Sequence, residues 1–425
     1  MDSGMQKTPT AEEPAGDDGQ SVHWRRNLVV CLLGSFTTII AMTLLLPFLP
    51  LYVEQLGVTD HASIVQWSGI AYGATFFSAA LTAPLWGQLG DRYGRKSMLV
   101  RASLGMAVSM SLIGMAQNVW QLVGLRLFAG IAGGYASGSV ILVATQTPKQ
   151  RSGWALGVLS SGVMAGNLVG PLIGGALPQL IGIRETFLLA GGVIFVTFLA
   201  TTFLIREEAR PRHKKAAKEK GGWAAIPDKR PILAMLATGM LLMVATMSIE
   251  PIITVYVAQL VQDAGRVTMV SGLAMSAAAL GAILSASRLG KLADRIGHWA
   301  VITGCLALSA GVLVPQAFVT SGWQLVGLRF LMGLALGGLL PCIASVIRHN
   351  VPDRIAGNVL GISTSAQYAG QVVGPLAGGF VGGHIGMRAV FVGTAVLMAA
   401  GAAYNWLARP VEGAAQAEPA AQAKR

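Results

Sequence analysis

From Asn27 to Ala408 the chain is a succession of apolar runs separated by short polar joints. Crossing a bilayer's hydrocarbon core takes about 20 mostly apolar helical residues. That criterion predicts spans over 27–53, 65–88, 97–116, 119–145, 153–178 and 185–205, then 231–257, 268–289, 299–318, 321–347, 357–382 and 388–408. The longest interior polar stretch, with RPRHKKAAKEK, lies between the two sets of six. It reads as a linker, with a surface helix drawn to anionic headgroups as the alternative. The first residues carry Glu12, Glu13, Asp17 and Asp18 and no apolar core, so they do not read as a signal peptide. The expected organisation is a disordered tail over 1–24, a six-helix bundle over 25–205 and a linker over 206–230. A second bundle over 231–409 and a disordered tail over 410–425 complete it.

Composition fits this reading. The 425 residues are 53% hydrophobic and 12% charged, with mean hydropathy +0.60. A water-facing surface needs roughly a quarter of residues charged, so lipid is the expected solvent. The 54 glycines suit helices that pack closely within a bilayer. Cys31, Cys305 and Cys342 each sit in an apolar run and read as small hydrophobes rather than disulfide or metal partners.

The net charge of +12 raises nucleic acid as a partner, but its placement argues for topology instead. Arg184, Arg266 and Arg388 fall on one side, Arg126 and Arg329 fall within spans, and the other Lys/Arg gather on the opposite side. This is the positive-inside bias, which predicts both termini in the cytoplasm.

The second half repeats the first. WQLVGLR occurs at 120–126 and again at 323–329. LLLPFLPLYVEQL (44–56) matches MSIEPIITVYVAQL (247–260) through Pro47/Pro251, Tyr52/Tyr256 and Gln55/Gln259. GQLGDRYG (87–94) matches GKLADRIG (290–297), and GVLSSGVMAGNLVGPLIGG (157–175) matches GISTSAQYAGQVVGPLAGG (361–379). IGIRETF (181–187) matches IGMRAVF (385–391). An even number of spans per copy gives both copies the same orientation. The expected fold is therefore an all-α membrane protein of twelve helices in two parallel-repeat bundles, with its site at the midplane between them.

These segments resemble the major facilitator superfamily, within it the twelve-span drug:proton antiporters, from Trp24 to Pro410. The loop Gly87-Gln-Leu-Gly-Asp91-Arg92-Tyr-Gly94-Arg95-Lys96 looks like the superfamily's signature between the second and third spans. Leu122-x3-Arg126-x3-Gly130 looks like its fourth-span motif, and Gly157-x8-Gly166-x3-Gly170-Pro171-x2-Gly174-Gly175 like the fifth-span motif of antiporters. The eleventh span repeats the last through Gly361, Gly370, Gly374 and Pro375. The resemblance implies export of drugs, among them fosfomycin and bile-salt-like compounds, across a bacterial inner membrane. It implies a monomer that needs no cofactor and is driven by the proton gradient. It gives the Asp91 loop the role of a cytoplasmic latch. Asp294, Arg295 and Gly297 repeat that frame, with His298 and Trp299 in place of the Arg-Lys pair. It also makes the first, fourth, seventh and tenth spans the lining of the pore.

An ionisable group at a span centre costs about 2.5–3.5 kcal/mol on insertion scales, so those present are candidates for function. Glu250 precedes Pro251, and pseudosymmetry sets it at a depth similar to Arg329 in the same half. The pair is the expected proton-coupling site. A permanent structural pair, or a solvated glutamate, is the competing reading. The first span has no acid, and Leu46 stands where Glu250 stands in the seventh. Arg126 is thus expected to face the cavity and receive an anionic substrate, or to cap carbonyls. Met42, Tyr135, Met247, Tyr72 and Phe76 are candidates for the cavity wall, against the alternative of ordinary packing. Asn167 and Gln367 are expected to hydrogen-bond between the halves.

Other classes lack support in the sequence. The chain has no G-x4-GK[ST] phosphate cradle for a primary pump, and no HExxH or G-x-S-x-G for a membrane enzyme. A proton-coupled importer or a metabolite exporter on the same fold is the nearest alternative.

Overall fold

The computed structural model describes residues 23–208, 226 and 228–409. The expected tails over 1–24 and 410–425 lie outside the described residues, apart from His23 and Trp24, as does most of the linker over 206–230.

Ten helical segments are long and apolar enough to cross a membrane. They are α1 (Trp24–Gln55), α3 (Arg95–Gly114), α4 (Val119–Gln146), α5 (Lys149–Ile181), α6 (Ile183–Leu204), α7 (Arg230–Leu260), α8 (Val267–Ile296), α9 (His298–Gln316), α10 (Gly322–His349) and α12 (Met387–Ala408). Two more, α2 (His61–Tyr93) and α11 (Asp353–His384), complete the twelve. α2 lies along α11, which forms one contact between the two bundles. The second contact between the bundles α1–α6 and α7–α12 runs along α5 and α8.

Four spans are broken, and they are the pseudosymmetric set. In α1 a 3-10 turn, Leu46–Phe48, follows the helix ending at Thr43, and in α7 the turn Glu250–Ile252 interrupts at the matching place. Pro47 and Pro251 explain both, because proline removes an N–H and clashes with the preceding turn. In α4 the break is Gly133–Gly134, with Gly134 at φ +102°, a conformation favouring glycine. In α10 the break is Gly337–Gly338, where α8 approaches so closely that a Cβ on Gly337 would meet the carbonyl of Ala282.

The duplication persists in the packing. The Tyr52 hydroxyl donates to the carbonyl of Ile113, and that of Tyr256 to the carbonyl of Gln316 at 2.8 Å. Each ring lies against a phenylalanine of the last span of its bundle, Phe187 at 5.2 Å and Phe391 at 4.9 Å. Cys31, Cys305 and Cys342 are free and buried.

The halves are joined at the end opposite the termini. Thr254 donates to the carbonyls of Leu46 (3.3 Å) and Pro47 (3.1 Å), and Thr268 to that of Gly175 (2.9 Å). Gln179 donates to the Thr268 hydroxyl at 2.6 Å. Gly69 fits against the carbonyl of Pro375, and Gly272 fits against that of Pro171. Nearer the termini the same helices stand clear. Added Cβ atoms at Gly87, Gly157, Gly290 and Gly361 would meet open space.

Candidate functional site

At the break of α7, the Glu250 carboxylate lies 2.6 Å from Nη2 of Arg329, which is 2% exposed. Arg329 Nη1 approaches the sulfur of Met332 at 3.8 Å, and its buried Nε has no hydrogen-bond partner among the described residues. The turn bearing Glu250 packs against both α11 and α2, so this acid sits where the two halves meet.

Arg126 is fully buried on α4. Its Nε donates to the carbonyl of Ala71 at 3.2 Å, and its guanidinium lies 6.0 Å from the centre of the Tyr72 ring. Nη1 and Nη2 are buried with no hydrogen-bond partner among the described residues. Leu46, also buried, occupies the place corresponding to Glu250. The two arginines of the repeat are thus unequal: one holds a carboxylate, the other presents unsatisfied donors. An unmatched buried charge is costly.

The structure brings Tyr72 and Phe76 together edge to face at 5.2 Å, on the helix that carries the Ala71 acceptor. Met42 and Met247 are partly buried against the core, Met247 beside Gly374. Tyr135 is not brought to them. Its hydroxyl meets that of Thr201 at 2.8 Å and its ring covers Gly34, within the packed terminal end of the first bundle. These contacts are of the packing kind that was the alternative to a place in the cavity wall. Asn167 and Gln367 also depart from expectation, because each bonds within its own helix, to Val163 O (3.1 Å) and Ser363 Oγ (3.4 Å). Thr254, Thr268, Gln179 and Ser276, whose hydroxyl reaches Leu168 O at 2.7 Å, carry the crossing bonds instead.

The glycine motifs mostly bind helices within a half. Gly166, Gly170 and Gly174 meet Ile39, Thr43 and Leu44 of α1, and Gly370 and Gly374 meet Met243 and Met247 of α7. Gly175 and the carbonyl of Pro171 touch the other half at α8, and Gly379 and the carbonyl of Pro375 do so at α2. Gly157 makes no such contact.

At the joint between α2 and α3, Asp91 pairs with Arg95 across Gly94, and Arg92 lies beside Tyr93. Gly94 turns the chain at φ +90°. Glu207, just past α6, accepts from the backbone amides of Arg95 (2.8 Å) and Lys96 (2.7 Å). A carboxylate at a helix N-terminus satisfies orphan donors and complements the helix dipole. Sequence reasoning left Glu207 in the linker, and no local pattern marks a cap from so far along the chain. In the second half Asp294 is exposed and lies 3.9 Å from His298, with Arg295 also exposed.

The fold of two six-helix bundles, its four broken spans and the buried charges between them define a membrane transporter rather than an enzyme. The pattern of the Major Facilitator Superfamily matches residues 31–315 and 269–425, and the chain belongs to that superfamily. It is 44% identical over 386 residues to the multidrug resistance protein MdtG of Salmonella typhimurium, covering 91% of this chain and 96% of that protein. MdtG of Serratia proteamaculans is likewise 44% identical, with 91% and 94% covered. Among solved structures, a bacterial homologue of the human lysosomal transporter Spinster, in an inward-facing and occupied conformation, superposes with TM-score 0.74. That pair is 17% identical, with 92% of this chain and 97% of the other covered. The nucleoside transporter NupG superposes with TM-score 0.67 at 15% identity, covering 90% of this chain and all of that one.

Proposed function

We propose that this protein exports toxic amphipathic or anionic small molecules across the bacterial inner membrane in exchange for protons, by alternating access. The observation that carries the reading is the asymmetry of the two buried arginines: Arg329 is paired with Glu250 at 2.6 Å, whereas Arg126 offers unpartnered Nη1 and Nη2. Glu250 is the coupling acid. When it is ionised, the pair with Arg329 fixes the break of α7 against α11 and α2. A proton removes the charge and weakens the pair, which biases the equilibrium between the two states of the carrier. Arg126 supplies charge-assisted donors to a phosphonate or carboxylate of the cargo, with Tyr72 and Phe76 as an aromatic wall.

The relatives named multidrug resistance protein support a broad range of drugs, and fosfomycin, a phosphonate, suits the Arg126 seat. With the termini in the cytoplasm, as the positive-inside bias predicts, the joined far end is the outer gate and the structure faces inward. The Asp91–Arg95 loop then belongs to the inner gate, ready to meet the other half when the carrier turns outward.

Drug susceptibility in an efflux-deficient host tests the reading. Expression of the wild type should raise resistance to an anionic drug such as fosfomycin. Glu250→Gln and Arg126→Ala should each abolish that gain at equal protein level, and Asp91→Asn should reduce it. Full resistance from Glu250→Gln overturns the coupling assignment, and full fosfomycin resistance from Arg126→Ala overturns the anion seat.

A further inference from the structure

The terminal ends of α1 and α5 form a second charged site, away from the one between the halves. A cleft of about 590 Å³ is lined by Trp24, Arg25, Leu28, Val29, Arg151 and Trp154. Two guanidinium groups flank one indole: Arg25 Cζ lies 5.4 Å from the Trp24 ring centroid and Arg151 Cζ lies 5.9 Å from it. Both arginines are exposed, and neither is in an ion pair among the described residues. From Arg25, Val29 and Leu33 follow at four-residue intervals along the same face of α1, 53% and 57% exposed, and Trp154 is 62% exposed. The chain thus presents cations at the end of the span, indoles beside them and an apolar strip running toward the membrane centre. Cations and indoles are placed this way where headgroups meet hydrocarbon.

We propose that this cleft binds an anionic phospholipid, its phosphate between Arg25 and Arg151 and an acyl chain along Val29 and Leu33. The apolar strip selects a lipid over a free phosphate, because the headgroup contacts alone are exposed and screened by salt. The two cations select an anionic lipid over a zwitterionic one. The cleft lies where α1 and α5, bound together through Gly162, Gly166, Gly170 and Gly174, reach the membrane surface. A bound lipid would hold these two ends together. The proposal is independent of the proton-coupling assignment.

The test is native mass spectrometry of the purified full chain released from nanodiscs of phosphatidylcholine doped with phosphatidylglycerol. The wild type should retain phosphatidylglycerol in preference to phosphatidylcholine. Replacing both arginines, Arg25→Ala with Arg151→Ala, should weaken retention about tenfold or more, given about 1 kcal/mol per basic residue near an anionic surface. Arg151→Ala alone, a change at one exposed side chain, should show part of that loss and serves if the double variant does not fold. Unchanged retention in both variants, equal retention of phosphatidylcholine by the wild type, or displacement of the lipid by millimolar inorganic phosphate each overturns the proposal.

Discussion

Glu250 and Arg329 meet 2.6 Å apart at a break in α7, while the pseudosymmetric partners Leu46 and Arg126 form no pair. Of the two buried arginines that the repeat places in equivalent spans, one holds a carboxylate and the other has none among the described residues. On the proposed function, this difference between the halves separates the coupling site from the seat for cargo.

If Leu46 is what leaves Arg126 open, Leu46→Glu should close it. The new acid would stand opposite Arg126 as Glu250 stands opposite Arg329. Resistance to anionic drugs should fall severalfold while resistance to neutral or cationic drugs is kept, as read from inhibitory concentrations at matched expression. Equal loss for all drugs would point to a packing defect instead.

Position decides the cost of filling a glycine in the α5 motif. A Cβ at Gly174 would collide with the backbone carbonyl of Leu44, which cannot move without moving α1. Gly174→Ala should therefore destabilise the protein by about 1–3 kcal/mol, the usual range for overpacking a close contact. Gly157→Ala, into open space, should be neutral. Thermal unfolding of the detergent-solubilised variants distinguishes the two.

Tyr256→Phe keeps the ring against Phe391 and removes the hydroxyl that donates to Gln316 O at 2.8 Å. Leaving that acceptor without its donor should cost about 1–3 kcal/mol. A lower melting temperature with the transport profile unchanged is the expected outcome.

Glu207→Ala removes the cap on the amides of Arg95 and Lys96. The loop after α2 should become more mobile, with faster hydrogen exchange at residues 94–98 and reduced transport. Protection unchanged from the wild type would show that the Asp91–Arg95 pair and Gly94 hold the loop unaided.

Much of the architecture was legible because membrane helices advertise themselves by length and apolarity, and because each half of the chain checks the other. The same criterion predicted α2 and α11 as spans even though they are less apolar than the other ten. Pro47 and Pro251 marked two of the four breaks. Gly133–Gly134 and Gly337–Gly338 did not, because glycine pairs in membrane helices ordinarily serve packing and the strain shows only in three dimensions. Reasoning from pseudosymmetric depth set Glu250 beside Arg329. It did not reveal that the turn bearing Glu250 also packs on α2. For Tyr135 the sequence left cavity wall and ordinary packing both open, since a single aromatic in an apolar run says nothing about which face of the helix meets the cavity. The bonds between halves were expected from Asn167 and Gln367, long amides that instead turned back on their own helices. Short hydroxyls at Thr254, Thr268 and Ser276 make most of those bonds, where close backbone approach favours a small donor.

Whether the proton acts at Glu250 is read from gradient-driven drug transport in inverted vesicles. With Glu250→Gln the protein should still exchange labelled drug for unlabelled drug across the membrane, yet an imposed proton gradient should no longer accumulate it. Gradient-driven accumulation by Glu250→Gln at the wild-type level would contradict the account.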